Sequence, residues 1–454
     1  MSEKSKKSEK SEKKFYDKFL KPAKVKHEKR KNEKLMEAKK ENHSDKTSDK
    51  FSGKSTAKKN HTKKENFSTV KFGDSLFDFT NVPIEAKRIV NNFDKILDGV
   101  TRLNSKQKAM LYHQIKMLSH TLTDSRDERR VGYMNETTTI TSYAYYYMWW
   151  NLVRLTRLFA NLPASFFQLN DNDICLDIGS GPLTVVTALF LSRPELRNKK
   201  LTFYCMDLSR EVLAFGENVF LSVAARLECE PWKIVRVKGE MGTSIKEKAS
   251  LITCANVFNE STEKYNLNEQ DAVCEKYINS ILSYADSVKA KILVVEPGVP
   301  KNGKLISSMR KSFVEKGFVP VSPCPHCEEC VMTRKEINES KWCNFSFETD
   351  NAPEALLKLS EKAELNKTRA VLSFIAVEKN SEKQSDEKKP LSFRIVSDAI
   401  RLPGNRQGFY ACSEIGLLLV VTAMHLYSGQ KCECEITETN FRIDYKSKAK
   451  IITL

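Results

Sequence analysis

The chain predicts an α/β protein built on a doubly wound, Rossmann-like sheet, and three observations carry that reading. From Ile174 onward, apolar runs of strand length alternate with runs of helix length. The first run, ICLDI, enters a glycine turn, GSGP, that opens directly into the apolar stretch LTVVTALFLS. The second, LTFYCMD, ends on an acid, Asp207. Repeated β–α units pack helices on both faces of a mostly parallel sheet. Around this core the composition sets an N-terminal helical subdomain, a Cys-rich insertion and a C-terminal β extension.

Taken in order, residues 1–75 read as a disordered basic tail. Residues 1–70 hold 23 Lys and Arg against 11 Asp and Glu, so +12 of the net +17 lies there. Too few apolar side chains are present to offset the entropy of ordering. Residues 76–165 read as a helical subdomain. Ile84, Ile89, Val90, Phe93, Ile96, Leu97, Val100 and Leu103 fall at three- and four-residue spacing on one face. A second helix runs from Ser105 to Leu122 and an aromatic third from Tyr143 to Leu162. The polar segment between them carries Arg126, Arg129 and Arg130, side chains of the kind that touch phosphate.

Residues 166–320 form the Rossmann core, with further strands in KIVRVKG, SLITCANVF and KILVVEPG. Residues 321–350 are the cysteine loop, 351–378 a helix and strand completing the core, and 379–390 a linker. Residues 391–454 look β-rich, with a Pro403–Gly404 turn and the run GLLLVVTAMHLY.

No apolar leader opens the chain, and the first 50 residues hold a single Arg, unlike an Arg-rich organellar presequence. The most apolar run, Tyr143 to Leu162, is interrupted by Arg154 and Arg157, too polar for a membrane span. A cytoplasmic protein without membrane contact is expected, with thiols kept reduced. The basic tail is an electrostatic handle for polyanions, RNA first.

Asp177, Gly179 and Gly181 stand where the first strand meets the first helix. Glycines there let a ligand approach the backbone, and an acid ending the second strand typically holds ribose hydroxyls. This pattern resembles that of class I S-adenosylmethionine-dependent methyltransferases. The resemblance implies that Asp177, Gly179 and Gly181 line the methionine end of S-adenosylmethionine and that Asp207 holds its ribose. Asn256, with Asn259 and Glu260, ends the fourth strand at the cofactor-facing edge, as a positioning group. The N/D-P-P-Y/F motif of amide-directed methyltransferases is missing, and no catalytic residue is assigned. Glu296, Pro297 and Gly298 end the fifth strand and read as a structural turn at the same rim.

The stretch SPCPHCEECVMTRKEINESKWCNF holds Cys324, Cys327, Cys330 and Cys343, four of the twelve cysteines. Thiolates at this density suit an iron–sulfur cluster or zinc. His326 reads as a hydrogen-bonding neighbour. Cys175, Cys205 and Cys254 lie in apolar strands and read as core. Cys432 and Cys434 alternate on a strand and share one side.

The order LDIGSGP, NVFNE, VVEPG, PCPH, WC-x-F, RLPG and YACSEIG resembles the small-ribosomal-subunit methyltransferase-like family, which has mitochondrial and bacterial members. The likeness runs from about residue 80 to the C-terminus. It implies an assembly and translation factor that binds small-subunit rRNA and ribosomal assembly intermediates, carries a 4Fe–4S cluster and is a monomer off the ribosome. By that resemblance the cluster ligands are Cys324, Cys330, Cys343 and Cys412. Cys327 is then an extra thiol able to substitute for one of them, and Asn344 replaces a common His. An active S-adenosylmethionine-dependent rRNA methyltransferase and a zinc-bearing RNA-binding protein are the alternatives.

Overall fold

A computed structural model describes residues 70–123, 133–261, 270–333, 341–379, 390–435 and 440–454. All of them belong to the compact unit Lys64–Leu454. Most of the expected tail, the Arg126–Arg130 segment and the linker at 380–389 lie outside the described residues.

The tail reading ends too late. Val70–Ser75 is a strand, β1, antiparallel to the strand at Gln430–Cys434. Its side chains are mostly exposed, and cross-strand bonding rather than burial defines it. The apolar series expected to form one helix forms two, α1 (Ile84–Asn91) and α2 (Phe93–Thr101). Asn92 breaks them: its backbone N–H donates to the Ile89 carbonyl and its amide to the Arg88 carbonyl. Ile84, expected on the buried face, is 82% exposed.

Helix α3 (Ser105–Thr123) is capped one residue earlier than expected. Asn104 and Gln107 exchange backbone-to-side-chain bonds of 2.9 Å, a reciprocal capping box. The aromatic helix begins before Tyr143, as α4 (Thr137–Tyr143), passes through a π-helical turn at Ala144–Met148, and continues as α5 (Trp149–Asn161). Its buried indoles are satisfied. Trp149 Nε1 donates to the Val90 carbonyl at 2.8 Å and Trp150 Nε1 to Ser360 Oγ at 3.1 Å.

The core then alternates as the sequence predicts. It runs β2 (Ile174–Ile178), α6 (Thr184–Ser192), α7 (Pro194–Arg197), β3 (Thr202–Asp207), α8 (Arg210–Arg226), β4 (Lys233–Lys238), β5 (Leu251–Ala255), α9 (Phe258–Ser261), α10 (Gln270–Tyr284) and β6 (Lys291–Pro297). There follow α11 (Pro300–Glu315), β7 (Phe318–Ser322), β8 (Phe345–Glu348), α12 (Glu354–Lys362) and β9 (Arg369–Lys379). The sheet order is β4-β3-β2-β5-β6-β9-β7, with β8 pairing β9. Strands β2 to β6 are parallel, whereas β9 runs antiparallel to β6, β7 and β8. This is the class I methyltransferase fold, with an antiparallel strand inserted at one edge.

Both faces of that sheet are covered. Cys175, Phe203, Leu251 and Leu293 point into a core shared with the N-terminal helices, and Leu176, Tyr204, Ile252 and Ile292 into a second one. Cys205 and Cys254 are buried with them, as expected.

The remaining strands are β10 (Leu391–Ile395), β11 (Ile400–Leu402), β12 (Arg406–Ser413), β13 (Gly416–Thr422), β14 (Gln430–Cys434), β15 (Arg442–Ile443) and β16 (Lys450–Thr453). They form a second sheet, β1-β14-β10-β12-β13-β16-β15, with β11 on β12. Cys432 and Cys434 both face its core.

Candidate functional site

Strand β2 lies at the middle of the first sheet, where the strand order reverses. Ligands of open α/β sheets bind in the crevice beyond the strand ends at such a point. Gly179 and Gly181 follow β2 with φ of +67° and +52°, values that favour glycine. The two differ in surroundings. A Cβ on Gly179 would stand 2.6 Å from Val257 Cγ2, whereas one on Gly181 meets nothing within 4 Å. The turn is therefore closed on one side and open on the other. Leu183 enters α6 in the same left-handed region, with φ +56°, and is buried.

Asp207, half-buried at the end of β3, holds this turn. Its Oδ2 accepts from the Gly181 N–H at 2.9 Å and its Oδ1 from the Ser209 N–H at 3.0 Å. Burial raises its pKa against the lowering effect of these bonds. A carboxylate has about four lone-pair sites, so acceptor capacity remains for a ligand hydroxyl.

Asp177 has no exposed surface and sits beneath the loop rather than lining it. Its Oδ1 accepts from the Thr253 hydroxyl at 2.6 Å, and its Oδ2 has no hydrogen-bond partner. Burial raises this carboxyl to about 7.

Asn256, half-exposed, has φ +58°, and its backbone N–H donates to the Val295 carbonyl at 2.8 Å. Buried Glu296 accepts from the Phe258 N–H at 2.8 Å and the Asn259 N–H at 3.1 Å. Glu296 thus fixes the Asn256–Asn259 loop, a role its reading as a strand-end turn did not reveal. Arg154 of α5 lies close enough for each of the two charges to act on the other.

The cysteines meet elsewhere. Cys324 and Cys330 lie in the loop after β7, Cys343 precedes β8, and Cys412 is on β12. After burial, the largest influences raising the Cys343 thiol are Cys324, Cys330 and Cys412. Burial, then Cys324 and Cys330, likewise raise Cys412. Four thiols from three separate segments therefore lie within electrostatic reach of one another. Among the described residues, however, no group of three or more His, Cys, Asp or Glu side chains is arranged to hold a metal ion.

Two buried arginines, unmarked by any spacing in the sequence, frame this region. Arg310 of α11 donates from Nε to Cys324 Sγ at 3.2 Å and from Nη2 to the carbonyls of His326 at 2.8 Å and Glu328 at 2.7 Å. Arg394 of β10 reaches the carbonyls of Pro323 and, at 2.7 Å, Gly429. His326 is buried, with Nε2 3.3 Å from Cys412 Sγ, which fits the hydrogen-bonding role expected of it. Cys327 is half-buried in the same loop. The Asn344 amide donates to the Trp342 carbonyl at 3.1 Å.

A family model described as mitochondrial small ribosomal subunit Rsm22 matches residues 140–409. No curated protein matches the chain. Among solved structures, a methyltransferase from Geobacter sulfurreducens with S-adenosyl-L-homocysteine is similar at 13% identity, over 51% of this chain and 90% of that one, with a TM-score of 0.29. A methyltransferase from Thiobacillus denitrificans gives 13%, 51%, 91% and 0.29. Geranyl diphosphate C-methyltransferase from Streptomyces coelicolor A3(2) gives 12%, 51%, 82% and 0.30.

Proposed function

The chain belongs to the family described as mitochondrial small ribosomal subunit Rsm22, and from that premise we propose that it is an assembly and translation factor of the small ribosomal subunit. In this reading it binds rRNA through its basic surfaces and uses a 4Fe–4S cluster as a structural staple.

The observation that carries the cluster is the convergence of Cys324, Cys330, Cys343 and Cys412, with Arg310 against Cys324 and burial around the rest. Buried neutral thiols gain little from such proximity. An all-sulfur donor set suits iron–sulfur chemistry or a soft ion, and neighbouring cations favour the thiolates either requires. The cluster would tie the loop after β7 to the C-terminal sheet. Protein purified without oxygen is expected to show broad visible absorption and about four irons per chain. Colourless protein with stoichiometric zinc would replace the cluster with the zinc-bearing alternative.

The open face at Gly181 and the spare acceptor capacity of Asp207 support S-adenosylmethionine as a ligand, with Gly179, Gly181 and Asn256 shaping the rim and Asp177 bracing it from below. S-adenosylmethionine would supply an electrophilic methyl group there; this chain's residues would hold its ribose and amino acid. Calorimetry with S-adenosylmethionine tests this, and Asp207→Asn is a sharper variant than a change at Asp177, whose loss disturbs the core. Absence of binding in the unaltered protein would leave an assembly module alone.

A cytoplasmic location is part of the same proposal, resting on the free thiols, which a reducing compartment keeps unpaired. Imaging a C-terminally tagged chain tests it, and colocalisation with an organelle marker would overturn it.

A further inference from the structure

Helices α1, α2 and α8 border an open surface pocket of about 390 Å³, lined by Arg88, Ile89, Asn92, Lys95, Ile96 and Arg226, whose three cationic side chains are exposed. That volume lies in the lower part of the range for small-ligand pockets. Its floor is apolar, since Ile89 and Ile96 are buried, and its polar lining is three cations and one amide with no carboxylate.

Two of the cations bond to neutral groups, and Arg88 enters only through its backbone carbonyl. Arg226 Nη2 donates to the Lys95 carbonyl at 3.3 Å, Lys95 Nζ to Asn92 Oδ1 at 2.7 Å, and the Asn92 amide to the Arg88 carbonyl at 3.0 Å. Among the described residues none of the three forms an ion pair, although other cations of the same unit do. The C-termini of α1 and α8 and the N-terminus of α2 also meet here. Two of these helix ends are negative and one positive, and Asp94 stands in the first turn of α2, so the positive balance of the pocket comes from the three side chains. Exposed like charges repel one another only weakly through solvent, and an anion seated between them would relieve that repulsion. Arginine and lysine around an amide donor suit phosphate oxygens.

We propose that this pocket is a phosphate-binding site that takes the phosphate of an RNA backbone or of a free nucleotide through Arg88, Lys95 and Arg226. The site is remote in sequence from the glycine turn and from the cysteines, so it stands or falls separately from the cofactor and the cluster.

The experiment uses the full chain, an Arg88→Gln/Arg226→Gln variant, and a Lys199→Gln/Lys200→Gln control with the same change of charge. One arm titrates adenosine 5′-monophosphate by calorimetry. The other follows a labelled 20-nucleotide RNA by anisotropy across salt concentrations. For a backbone source, the slope of log affinity against log salt falls by about 1.4 in the Arg variant relative to the control, from two lost single-strand contacts. For a free-nucleotide source, adenosine 5′-monophosphate binds the unaltered protein and the control, and at least tenfold more weakly the Arg variant. Identical behaviour of variant and control in both arms overturns the proposal. Should the double variant melt early, Lys95→Gln, whose ammonium holds only the Asn92 amide, gives the same readouts at about half the slope change.

Discussion

The Asp207 carboxylate accepts the Gly181 backbone N–H at 2.9 Å across 26 residues of sequence. The second strand's terminal acid thereby shapes the turn that follows the first. Replacing it by Asn keeps the size and removes the charge, weakening bonds to Gly181 and Ser209. A charge-assisted hydrogen bond contributes about 1.5–3 kcal/mol, so a loss in that range is expected in chemical denaturation. S-adenosylmethionine affinity should fall at least tenfold. Unchanged affinity in a folded variant would remove Asp207 from the ribose.

Asp177 gives the protein a pH dependence of known sign. Its folded pKa is raised to about 7 from an ordinary 3.8. Between those values the folded state holds a proton that the unfolded state has released, so stability falls as pH rises. It levels off above about 7, with a contribution of up to about 1.4 kcal/mol per pH unit in the window. Asp177→Asn fixes the neutral form. Denaturation of both proteins from pH 4 to 8 should show their difference growing with pH and then becoming constant. A constant difference throughout would contradict the burial argument.

Glu296 secures the rim by accepting two backbone N–H groups. Glu296→Ala leaves both donors buried without that carboxylate, a change expected to lower stability by about 3 kcal/mol. Hydrogen exchange at Phe258 and Asn259 should speed up well beyond that at strand β3. Uniform exchange changes across the sheet would show a purely global effect.

The cysteines separate by variant. Cys343→Ser should lower iron content and open the C-terminal sheet to protease, whereas Cys327→Ser should preserve both. Equal iron loss in the two variants would move Cys327 into the ligand set. Arg310→Ala, which removes donors from Cys324 and from the His326 and Glu328 carbonyls, is expected to cost about 3 kcal/mol by the same measure.

The alternating core was legible because each strand there is a short apolar run bounded by a turn, and each helix is long enough to show its period. The glycine turn was legible for a similar reason, since positive φ selects for glycine. Strands β1, β7 and β8 were not. VKFGDS, FVPVS and FSFE are brief, and partners far away in the sequence hold them in place. The break at Asn92 escaped the helical period because the spacing of Ile89, Phe93 and Ile96 continues across it. In the site, Asp177 and Asp207 look alike as strand-end acids, yet one is covered and the other half-open. Thr253, Val257 and Arg310 act through tertiary contacts that no local pattern records.

The pairing of Val70 with Cys434 also sets an order of events during synthesis. One edge of the second sheet, β1, is made well before its pairing partner, β14. At roughly 5–20 residues per second, β1 leaves the ribosome on the order of 20–70 s before β14 does. The strands of the first sheet lie wholly between the two in sequence, so that sheet can close while β1 still lacks its pairing strand. The second sheet is therefore the late-maturing part of the molecule, and β1 is the segment most in need of protection from unwanted strand pairing in the interval.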